Sequence, residues 1–145
     1  MSTSNNQTSF KALVTWLRDT IRAPEHFTLS YAAESSAFVR FNHAKVRQAG
    51  QVQQASVAFK LINEGRHADL HITLAGDAEV DRQRLAEGLQ QLRETLPLLP
   101  QDPYLLLNHN GWQSKSVQER PLPDTEKVVA EITQAAEGLD LVGFY

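Results

Sequence analysis

Two short stretches of this sequence carry residues that could do chemistry. The first is HADLH, residues 67–71, which holds two imidazoles and a carboxylate, donor types that bind zinc. Histidines four apart share a face on a helix, as in the zinc protease motif H-E-x-x-H. Here Ala68 stands where that motif has its glutamate base. The alternation around HADLH reads as a strand instead. On a strand His67, Asp69 and His71 still share one face, but a spacing of about 6.6 Å between i and i+2 demands a local bend before they meet on one ion. The simpler reading is a solvated polar sheet face.

The second stretch is FVRFNHAKVRQAG, residues 38–50, which reads as strand, tight turn and strand with Arg40, Lys45 and Arg47 at polar positions. A basic hairpin can bind nucleic acid, grip an acidic or peptide substrate, or keep one sheet face soluble. Seventeen acidic residues against fourteen basic ones give a net charge of −3, so no global field draws the chain to nucleic acid or anionic lipid. Any basic patch is therefore local, which weakens the nucleic-acid reading.

Other chemistries find little footing. The chain has no cysteine, which excludes disulfides, thiolate catalysis and cysteine zinc sites. Ser35, Ser36, Ser56, Ser114 and Ser116 sit in no G-x-S-x-G context, and the seven glycines are scattered singly rather than gathered in a phosphate loop. Asp77 and Glu79 are better explained as charges at a helix N-terminus. Trp16 reads as packing, whereas Trp112, in a polar segment, either folds over the core or meets a partner. No catalytic or cofactor-binding residue emerges from the residues alone.

The elements that must position these residues can be read from periodicity. Residues 1–7 form a polar tail, expected to be flexible. A helix over 8–22 carries Phe10, Leu13, Val14, Leu17 and Ile21 on one stripe and stops at Pro24. Residues 27–32 favour a strand, and Glu34-Ser35-Ser36 a turn. Strands at 37–41 and 45–49 flank the Asn42-His43-Ala44 turn, and Gly50 marks a bulge or bend. Strict alternation over 52–62 and 67–74, about a turn at Asn63-Glu64-Gly65, gives an antiparallel hairpin with one buried face. Asp77 caps a helix over 78–96 with the stripe Leu85, Leu89, Leu92 and Leu96. After the connector LPLLPQDP, Tyr104 to Leu107 reads as a short buried strand and 108–123 as a loop. Asp124 caps a third helix that buries Val128, Val129 and Ile132 and ends at Gly138. The final LDLVGFY reads as a buried strand. The fold class expected is α+β, an antiparallel meander sheet packed by two or three helices.

At 145 residues the chain has room for one domain, over 8–145. Its N-terminus lacks the basic end and apolar run of a signal peptide, and no apolar stretch approaches the ~20 residues of a membrane span. A cytoplasmic location is the simplest expectation.

The hairpin, the alternating strand followed by His67-Ala68, the segment LPLLPQDPYLLLN and the closing GLDLVGFY together resemble the N-terminal domain of the TldD/PmbA family, also called modulators of DNA gyrase. The likeness runs from about Thr8 to Tyr145. It implies a two-domain zinc metallopeptidase whose H-E-x-x-x-H motif and zinc lie in a C-terminal domain. It further implies a homodimer or a pair of family members around a cleft that admits extended peptides. No histidine here is followed by glutamate, so this chain is expected to be inactive alone, with no cofactor of its own. A chain closing on an apolar strand suggests a fragment rather than a natural short form. Under the resemblance, Arg40, Asn42, Arg47 and Gln48 become candidate contacts to peptide or partner, and neither nucleic acid nor membrane is expected as a ligand. The alternative is a stand-alone protein-interaction module of the same fold without peptidase activity.

Overall fold

Alternation at the centre of the chain dictates the first element pair. In the computed structural model, which describes residues 3–108, 110–118 and 120–145, strand β2 (Lys45–Asn63) runs antiparallel to β3 (Arg66–Thr73). Their register runs from Ser56↔Thr73 to Asn63↔Arg66. Glu64 and Gly65 make the turn with φ of 50° and 71°, the left-handed pair that a two-residue hairpin needs. Val57, Phe59, Leu61 and Ile72 are buried on the shared face. The other elements are α1 (Thr3–Thr20), β1 (His26–Asn42), α2 (Ala78–Thr95), α3 (Thr125–Ala135) and β4 (Gly143–Phe144). A single 3-10 turn, Leu96–Leu98, follows α2. The strands form one sheet in the order β3-β2-β1-β4, and the α+β meander packed by helices is the observed class.

The chain divides into two compact units. The first comprises residues up to Glu34 together with Gln53–Leu107. Leu13 and Leu17 of α1, Leu85, Leu89 and Leu92 of α2, and Leu96 pack with Val57, Phe59, Leu61 and Ile72 into one core. Trp16 is partly buried against it, and Phe27 meets Phe59 edge to face at 6.5 Å. Asp77 caps α2 by accepting from the backbone N–H of Glu79 and Val80 at 3.0 Å each. One turn on, the buried Asp81 reaches back and accepts from the N–H of Ala75 at 2.6 Å and of Gly76 at 3.1 Å, closing the β3–α2 connection. Glu25 and Arg93 form a bidentate pair, Nε to Oε1 at 2.8 Å and Nη2 to Oε2 at 2.7 Å. The Arg93 hydrogen bond holds the Glu25 carboxyl below its ordinary value against the opposing effect of burial, and Glu25 raises Arg93 in turn.

The second unit comprises Ser35–Val52 and Asn108–Tyr145. It holds the hairpin tip, α3 and β4. Asp124 caps α3, accepting from Lys127 N–H at 2.8 Å. Val39, Phe41 and Ala136 are its buried apolar residues among those described.

Several expectations shift. The first helix starts at Thr3, not Thr8, and ends at Thr20; winding on through polar residues costs little once an apolar stripe holds the helix. Residues 1 and 2 of the expected tail lie outside the described residues. No turn forms at Glu34-Ser35-Ser36, which lies inside β1, and Glu34 instead accepts from Gln54 Nε2 at 2.9 Å. Tyr104 to Leu107 is neither strand nor buried: Tyr104 is 86% and Leu106 91% exposed. The Asp102 carboxylate accepts from Tyr104 N–H at 2.9 Å, turning the chain where a strand would have to extend. Val128, Val129 and Ile132 of α3 are half-buried rather than buried. The closing segment does pair as β4, but none of its side chains is buried, and Phe144 is 74% exposed.

Candidate functional site

The basic hairpin is built around a demanding turn. His43 and Ala44 take φ of 50° and 54°, a conformation that non-glycine residues adopt at a cost. Long-range contacts hold the tip there. His43 Nδ1 lies 2.7 Å from Asp140 Oδ1, and Ala44 N–H donates to the Leu141 carbonyl at 3.1 Å. Beyond this anchor β4 continues along β1 with Arg40↔Phe144 and Phe41↔Gly143 in register. Val39 and Tyr145 exchange both backbone bonds at 2.9 Å. Phe38 stacks on Phe144 at 5.6 Å and 11°. Gly50 makes room for that stack, since a Cβ there would lie 2.7 Å from Phe38 Cε1 and Cζ.

The four predicted contact residues straddle this turn. Arg40 is exposed on β1, Asn42 is half-buried at its last position, and Arg47 and Gln48 are exposed on β2. No side-chain hydrogen bond or ion pair to a described residue holds Arg40, Lys45 or Arg47. Their guanidinium and ammonium donors are thus available to an acceptor from outside.

The backbone next to them is equally available. β3 pairs with β2 only over Ser56–Asn63, with one further bond from Leu74 N–H to the Ala55 carbonyl at 2.9 Å. Among the described residues no strand and no hydrogen bond covers the outer edge of β2 from Lys45 to Val52. Such an edge offers alternating N–H and C=O groups to an added extended chain.

Unit two also keeps much of its apolar surface outside. Leu122, Leu139, Val142 and Phe144 are exposed, and Trp112 is 77% exposed, so it does not fold over a core.

The HADLH residues are not gathered as a metal centre. His67 Nε2 lies 3.3 Å from Asp102 Oδ2, while Asp69 and His71 are exposed. Among the described residues no group of three His, Asp or Glu is placed to hold an ion. The sequence reading missed His43–Asp140, because its partners are 97 residues apart and leave no local pattern. It missed Glu25–Arg93 for the same reason, at a separation of 68. Among the described residues no helix is long and apolar enough to cross a membrane. No family model, curated protein or solved structure matches this chain.

Proposed function

We propose that this chain is the non-catalytic, substrate-admitting domain of a cytoplasmic zinc metallopeptidase of the TldD/PmbA kind. The observation that carries this reading is the open edge of β2 from Lys45 to Val52, with free cations beside it. An extended peptide binds there by main-chain bonds, and Arg47 and Gln48 supply polar contacts along the same strand. Arg40 and Asn42 face the peptide or the neighbouring domain from β1. The zinc and its H-E-x-x-x-H ligands belong to the metallopeptidase domain, which this domain serves by shaping the cleft. The exposed Leu139, Val142 and Phe144 form contacts to that domain or to the paired subunit.

The test replaces Arg40 and Arg47 together with alanine in a protein joining this chain to such a metallopeptidase domain. A lost charge-assisted hydrogen bond is worth about 1.5–3 kcal/mol, so kcat/KM for an extended peptide falls roughly tenfold or more. Exposed charges contribute within about 0.5 kcal/mol to stability, so Tm moves by only about a degree or two. Unchanged turnover in the double variant refutes the reading and leaves both arginines as solubilising residues.

A further inference from the structure

The outer edge of β3 has a short open window whose chemistry is complementary to itself. Leu74 N–H donates to Ala55, and Asn63↔Arg66 flank a two-residue turn. In an antiparallel ladder this phase directs the backbone groups of Leu70 and Ile72 toward β2 and those of His67, Asp69, His71 and Thr73 outward. Other groups flank the row at both ends. Arg84 Nη1 donates to the Thr73 carbonyl at 2.6 Å. At the other end Asp102 N–H donates to Gly65 at 2.8 Å, Arg66 Nε to Leu99 at 2.8 Å, and the Asp102 carboxylate meets His67. Between them the outward backbone groups of Asp69 and His71 have no partner among the described residues. Beside this window an open groove of about 710 Å³ runs between β3 and α2. Gly88 at its floor lets α2 sit close on Leu70 and Ile72, whose methyls would lie 3.2 Å from an added Cβ.

We infer that β3 pairs antiparallel with β3 of a second copy of this chain, about a two-fold axis at Leu70, with Asp69 of each copy opposite His71 of the other. Charge selects the occupant and the register. Acid-x-imidazole read backwards is imidazole-x-acid, so a two-fold sets unlike groups together at both pairs, each pair exchanging its backbone bonds as well. A slip by two residues sets Asp69 against Asp69, or His71 against His71, which opposes association. Either neutral tautomer of His71 keeps an N–H to donate to the carboxylate. So short an edge makes a weak, concentration-dependent dimer. The surface lies in the first unit, uses neither Arg40 nor Arg47, and does not rest on the peptide-cleft reading.

Sedimentation equilibrium over a concentration series tests it, with circular dichroism confirming the fold of each variant. The wild-type chain is expected to dimerise reversibly. Asp69→Lys and His71→Asp each set disfavoured groups together at both pairs and weaken the dimer by about tenfold or more. The reciprocal double change D69K/H71E restores unlike partners and recovers the association. His71→Pro removes an outward N–H that β2 does not use, so the fold survives and the dimer is lost. A wild-type chain that stays monomeric overturns the inference, as does a dimer that the single changes leave unmoved. Failure of the double change to restore association overturns it equally.

Discussion

The two units of this chain differ in how well their helices are buried, although the first also leaves Leu98, Tyr104 and Leu106 exposed after α2. In the first, leucines from both helices close over Val57, Phe59 and Leu61, which are fully buried. In the second, Leu122, Leu139, Val142 and Phe144 face outward, and α3 has no buried residue of its own. Both units use the same devices of capped helices and left-handed turns. The difference therefore lies in what covers the apolar surface, and not in local structure.

Substitutions should separate the two regions by size of effect. Phe59→Ala, in the first unit, should cost about 3–5 kcal/mol in denaturant unfolding, because a fully buried ring leaves a cavity. Arg93→Ala should cost roughly 3 kcal/mol, since it strands the mostly buried Glu25 carboxylate. That pair also sets a pH signature. The folded pKa of Glu25 is depressed, so its contribution is fully present above the unfolded carboxylate pKa near 4.5 and is lost as pH falls through the lower folded value. Stability measured across this acid range should therefore lose one carboxylate's slope in Arg93→Ala.

Effects in the second unit should be smaller. Gly50→Ala should cost about 1 kcal/mol, because the new methyl displaces the Phe38 ring from its stack on Phe144. Val142→Ser should change stability by no more than about 0.5 kcal/mol, the usual range for an exposed position. A core-sized loss from Val142→Ser, read in the same unfolding assay, would break the comparison outright.

What could be read from the sequence follows the same division. The paired part of the β2–β3 hairpin and the α2 stripe were legible because one face packs on the core there, which imposes periods of 2 and 3.6. The caps at Asp77 and Asp124 were legible because capping is local chemistry. The passage of β1 through Glu34, Ser35 and Ser36 was not, since residues 33–37 are exposed throughout and leave no alternation to detect. The run at Tyr104–Leu107 misled because an apolar stretch signals burial only if something covers it, and Tyr104 and Leu106 are bare. For the candidate site, the positions of Arg40, Asn42, Arg47 and Gln48 about the turn could be foreseen. The open edge beside them could not, because it depends on where β3 stops. The anchoring of the tip by Asp140 depends likewise on a residue far along the chain.

β2 is a single strand of 19 residues, and β3 accompanies only part of it. Its amides should therefore live on two clocks in hydrogen exchange. From Val57 to Ile62, ladders lie on both sides and the surrounding core is closed, so deuterium enters only with extensive opening. From Val46 to Val52, every second amide faces the uncovered edge and should exchange readily while its neighbours, bonded to β1, stay protected. A ligand that adds a strand there would erase that alternation residue by residue, writing its own footprint and register into the exchange pattern.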